Sequence, residues 1–144
     1  DWTTARFSDR AVESTATAIR TLTRGRPVIL IGYSGGAQLA GLVAVLHPEL
    51  DVRQLVTVAG NLDHRTWTRE KGFVPLNESL SLTDYQKVYA DIPQIHYIAQ
   101  NDRIILPRWT YQFVQDAETI HLVPGASHDT GFTEIFPKIW ALGR

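Results

Sequence analysis

The chain of 144 residues contains no cysteine and no methionine. Without cysteine there is no disulfide, no thiolate nucleophile and no thiolate metal site. The five histidines are scattered and show no paired ligand spacing such as H-E-x-x-H, which disfavours a zinc enzyme. Charge of one sign is also missing: 14 basic and 15 acidic residues nearly cancel, and no Lys/Arg block is dense enough to track a phosphate backbone. A nucleic-acid partner is therefore not expected. No apolar run reaches the roughly 20 residues needed to span a bilayer, and no charged and apolar leader opens the sequence. A chain starting at Asp1 without any methionine is expected to be a processed or truncated product.

What is present is the composition of one globular domain, 44% hydrophobic and 20% charged, with no linker, repeat or low-complexity stretch. Ser8 can cap a helix whose Val12, Ala16, Ile19 and Leu22 share one face, with Gly25 at its stop. Pro27 then leads into Val28-Ile29-Leu30-Ile31, a continuous apolar run of the kind found in parallel strands covered on both faces. A strongly apolar helix follows through Leu39, Ala40, Leu42, Val43 and Leu46, and stops at His47-Pro48. Further strands are expected over 54–59, 94–99 and 118–123, with helices near 107–114 and 133–142. The alternation of strand and helix predicts one α/β domain over residues 1–144 with a parallel sheet and right-handed crossovers. Between the second and third strands, about 61–91, lies a long connection with Trp67, Phe73, Pro75 and a short helix over 82–90. Its length suits a cap or lid.

The chemistry gathers at the strand ends. Gly32-Tyr33-Ser34-Gly35-Gly36 fits G-x-S-x-G directly after an apolar strand and directly before a helix, where the pattern has mechanical meaning. Small flanking residues let the turn bring backbone close to its neighbours. The structural alternative is a glycine-rich turn in which Ser34 only caps the helix. A serine hydroxyl needs a base to remove its proton and an acid to orient that base. Asp102 stands past the third strand, and Asp63, past the second, competes for the role. Asp102 could also serve only a turn. His128 lies in the glycine-bearing loop Gly125-Ala126-Ser127-His128, where a solvated loop histidine is the alternative. Of the other histidines, His96 and His121 fall in strands, His47 ends a helix and His64 sits in the long connection.

Through these three segments, in the order Ser, Asp, His, the sequence resembles the α/β-hydrolases over essentially its whole length, as the second half of that fold. The resemblance implies Ser34 as nucleophile, His128 as general base and acid, Asp102 as its orienting partner, and the Gly35 amide as an oxyanion donor. It implies a small-molecule acyl substrate, most simply a carboxylic ester, and neither metal nor cofactor. The segment Ala59-Gly60-Asn61-Leu62-Asp63 and the tryptophan-bearing stretch after it also resemble exported bacterial members. Family members carry about four strands before the nucleophile strand, and the loop after the third supplies a second oxyanion donor. Here the first helix opens at Ser8, so the apolar first strand is expected to have an open edge that an N-terminal fragment or a second copy would cover. A catalytically weak or non-catalytic binding module and a cofactor-free enzyme of non-hydrolytic chemistry are the competing expectations.

Overall fold

A computed structural model describes residues 3–144. Helix α1 (Asp9–Thr23) starts where the Ser8 hydroxyl accepts the amide of Ala11, and it buries Val12 and Ala16. Leu22, expected on the same face, is instead exposed in the last turn of α1. Strand β1 (Val28–Tyr33) leads into α2 (Gly35–Leu46), whose Ala37, Leu42, Val43 and Val45 are buried, as befits a helix apolar on nearly every side.

The remaining elements are β2 (Val52–Val58), α3 (His64–Lys71), α4 (Gln86–Ala90), β3 (Gln94–Ala99), α5 (Pro107–Phe113), β4 (Ile120–Val123) and α6 (Phe136–Ala141). The four strands form one parallel sheet in the order β1-β2-β3-β4. Each crossover adds a strand on the same side of the last, so β1 is left at one edge. One face of the sheet packs on α1, α2 and the 61–91 segment, through Leu42, Leu55, Ile98, Leu62, Leu82 and Tyr89. The other face packs Val56, Val58, Tyr97 and Ala99 against Phe132, Ile135 and Ile139 at α6. None of the described helices is long and apolar enough to cross a membrane.

Boundaries differ from the sequence pattern where a side chain or a proline intervenes. The fourth strand begins at Ile120 rather than 118, because the Asp116 carboxylate accepts the Glu118 amide at 3.0 Å and bends 117–119 into a 3-10 turn. Pro137 lies in the first turn of α6, and the expected 133–142 helix is divided into a 3-10 turn over Thr133–Ile135 and α6. Helix α3 lacks an apolar stripe, since only His64 and Thr68 are buried in it, so periodicity does not reveal it. Its termini do carry signals: Asp63 caps the start and Gly72 takes the left-handed conformation at the end.

Candidate active site

Ser34 is the single residue between β1 and α2, with φ 52° and ψ −122°, a conformation that L-residues rarely adopt. Backbone bonds hold it there: the Ser34 amide donates to Val58 O at 3.0 Å, and its carbonyl accepts from Asn61 at 2.9 Å and from Ala37 at 3.1 Å. The turn closes only because Gly32 has no side chain. A Cβ there would stand 2.5 Å from Ala37 Cα and 2.6 Å from the Gly36 carbonyl oxygen, both backbone atoms that cannot step aside. The serine side chain makes no cap bond to α2. Its hydroxyl is turned to His128 instead.

Asp102 follows β3, its amide bonded back to Ala99 O at 3.2 Å. Its Oδ1 accepts the amides of Ile104 and Ile105, each at 2.9 Å, which fixes the carboxylate without consuming Oδ2. The Oδ2 atom lies 2.9 Å from Nδ1 of His128, and Nε2 of the same ring lies 3.0 Å from Ser34 Oγ. Hydrogen bonding decides the tautomer: Nδ1 donates to the carboxylate, leaving the Nε2 lone pair to accept the serine proton. The Asp102 side chain is 1% exposed and that of His128 is 11% exposed, so the pair is largely shielded from water.

The loop after β4 is built to present this imidazole. Asn101 donates to Ala126 O at 2.9 Å, Gly125 to the Gln100 side chain at 2.9 Å, and Ser127 to Thr130 O at 3.0 Å. Gly131 closes the turn with φ 92°, where a Cβ would fall 2.8 Å from Ala126 Cα. Tyr33, at the unconstrained second position of the serine motif, donates its hydroxyl to the His128 carbonyl at 3.0 Å. No sequence signal marks it, because the motif accepts any residue there.

The competing acid has other work. Asp63 accepts the Thr66 amide at 3.0 Å and the Thr66 hydroxyl at 2.6 Å as the cap of α3. His64 is buried, with Nε2 donating to Leu80 O at 2.8 Å, and burial pushes its pKa down. His96 is buried too: Nε2 donates to Gln94 Oε1 at 2.8 Å while Nδ1 accepts from Thr57 Oγ1 at 2.7 Å. Burial, with a smaller contribution from His121, lowers its pKa to about 4. His47 ends α2 between the carboxylates of Glu13 and Glu49, each at 2.9 Å. Among the described residues no cluster of three His, Asp or Glu side chains could hold a metal ion.

Helix α2 begins at Gly35, whose amide belongs to the first turn, where no carbonyl of the same helix is available to it. The chemistry open to the arrangement is proton removal from Ser34 Oγ by a neutral, carboxylate-oriented imidazole, beside a backbone amide able to receive a developing anion.

No family model and no curated protein matches the chain. Solved structures do. An α/β-hydrolase enzyme, MGS-MChE2, from the metagenome of sediments of the Mar Chica lagoon in Morocco, is 17% identical with a TM-score of 0.61; the match covers 91% of this chain and 66% of that one. CarC, a serine hydrolase involved in carbazole degradation, is 17% identical with a TM-score of 0.64, over 94% of this chain and 68% of that one. E-2-(acetamidomethylene)succinate hydrolase is 16% identical with a TM-score of 0.61, over 92% and 70%. The protein thus has the α/β-hydrolase fold, and it spans about two thirds of the length of these structures.

Proposed function

We propose that this protein is a serine hydrolase of acyl compounds, most simply carboxylic esters, acting through an acyl-enzyme on Ser34. The observation that carries the reading is the unbroken line from Asp102 Oδ2 through the His128 ring to Ser34 Oγ, with links of 2.9 and 3.0 Å. Both lie within the range expected of a nucleophile, its base and the group that orients the base.

In the proposed reaction Ser34 Oγ attacks the ester carbonyl while its proton passes to His128 Nε2. Asp102 stabilises the imidazolium without taking the proton. The Gly35 amide receives the oxyanion of the tetrahedral intermediate. Collapse breaks the bond to the alkoxy group, which leaves as an alcohol carrying the proton from His128. A water molecule, deprotonated by the same nitrogen, then attacks the acyl carbon, and the acid departs as Ser34 recovers its proton. The residues supply every proton transfer, so no metal or cofactor enters.

Gly35 accounts for one oxyanion donor, and loss of one of two such donors typically slows acyl transfer about 100- to 1,000-fold. A second reading, a binding module that keeps the fold without turnover, draws its support from that single donor. The two separate in one experiment. Incubation with a serine-directed phosphonate should add one adduct mass to the intact chain, mapping to Ser34, absent in Ser34→Ala and strongly slowed in His128→Ala. A chain that takes up no label while hydrolysing no activated ester would leave the binding module as the reading.

A further inference from the structure

We infer that Tyr33 is a positioning residue for the general base, an inference that rests on the proposed hydrolase activity. Tyr33 ends β1 and immediately precedes Ser34, yet its hydroxyl donates at 3.0 Å to the backbone carbonyl of His128, 95 residues further on. The two rings also meet, with centroids 5.4 Å apart and an interplanar angle of 39°. One side chain therefore ties the strand that delivers the nucleophile to the backbone of the residue that deprotonates it.

The need for such a tie follows from how His128 is held. Its ring bonds to Asp102 and Ser34 fix the plane of the imidazole, but they do not fix the backbone from which the ring hangs. That backbone lies between Gly125 and Gly131, both at positive φ, in a turn that the Ser127 and Thr130 pairing closes around the histidine without engaging its carbonyl. The Tyr33 bond is made by the histidine's own carbonyl and so acts at the point where displacement would be transmitted directly to the ring. Misplacement by about 1 Å of a group in a reacting constellation can cost on the order of 100-fold in rate. Partial desolvation, then the negative charges of Asp129 and Asp102, raise the Tyr33 pKa above its ordinary value, so the hydroxyl keeps its proton, and its donor, throughout the neutral range.

Tyr33→Phe removes the donor and keeps the ring, and Tyr33→Leu removes both. With an activated ester, Tyr33→Phe should lower kcat about tenfold and Tyr33→Leu about 100-fold, with KM within twofold of the parent and thermal midpoints of the Phe variant unchanged. A simple packing residue would shift the midpoint and leave kcat alone. In parallel, the imidazole nitrogen and proton signals of His128, followed by NMR on histidine-labelled protein, should shift or broaden in Tyr33→Phe. Unchanged kcat in Tyr33→Phe, or a raised KM with kcat intact, overturns the inference. The NMR measurement needs no turnover: if the parent fails to label with phosphonate, the hydrolase reading falls alone, and unaltered His128 signals in Tyr33→Phe would separately overturn the positioning role.

Discussion

Asp102 divides its carboxylate between two tasks: Oδ2 meets His128 Nδ1 at 2.9 Å while Oδ1 holds the amides of Ile104 and Ile105. The division dictates what an amide would do there. In Asp102→Asn the side-chain oxygen keeps the two backbone donors, and the NH2 group must face Nδ1. The imidazole then has to accept at Nδ1 and carry its proton on Nε2, where it can no longer receive one from Ser34. Turnover should fall by about 10,000-fold while the circular dichroism spectrum and substrate affinity stay as in the parent.

Asp63→Ala gives the opposite signature. Asp63 caps α3 through the Thr66 amide and does not touch His128, so its loss should cost about 1 kcal/mol of stability in urea titrations and leave kcat within about twofold. A collapse of kcat in this variant with Asp102→Asn still active would move the acid to Asp63.

The glycines of the serine motif differ in what they tolerate. Gly32→Ala drives a methyl into the backbone of Ala37 and Gly36, so it should unfold the turn and abolish phosphonate labelling. Gly36 lies within α2 with nothing near its missing Cβ, and Gly36→Ala should raise stability by about 0.5–1 kcal/mol with labelling retained. Thermal melts and intact-mass labelling of the two variants check the contrast.

Acid should weaken the fold through His96. Its pKa in the folded state is about 4, against about 6.5 in an unfolded chain, because burial disfavours the imidazolium. Between these values the unfolded chain binds the extra proton, so stability is complete above about pH 6.5 and declines as pH falls toward 4. The shift corresponds to a loss on the order of 3 kcal/mol across that window. Buried His64, whose pKa is also lowered, adds in the same direction. Urea unfolding at pH 7, 5.5 and 4.5 should show the decline, and His96→Gln should reduce it.

The outer edge of β1 has no neighbouring strand among the described residues, and Ile31 on it is 52% exposed. An apolar parallel strand left open is a template for another chain, so the protein is expected to self-associate or to take up an N-terminal companion segment there. Sedimentation should show assemblies larger than the monomer, and Ile31→Lys should shift them toward it. A parent that stays monomeric at all concentrations, alone and with an upstream segment supplied, would remove the edge as an interface.

The elements whose cause is local were legible in the sequence. The Val28 to Ile31 run, the Ser8 cap, the Pro48 stop and the Gly32 to Gly36 turn act within a few residues, and the α/β order follows from their alternation. The parallel sheet agrees with that expectation, while the order β1-β2-β3-β4 is set by the packing of the crossovers. Tertiary structure decided what depends on distant partners. Asp63 and Asp102 both follow strand ends, and the sequence, which favours Asp102, leaves Asp63 as a competitor. The choice comes from the loop after β4, which comes down beside β3 and so reaches Asp102, while Thr66 takes Asp63. The Tyr33 to His128 bond and the burial of His64 were beyond the sequence for the same reason: a hydrogen bond across 95 residues, or a histidine in the long connection donating to a backbone carbonyl at Leu80, leaves no periodicity along the chain to read.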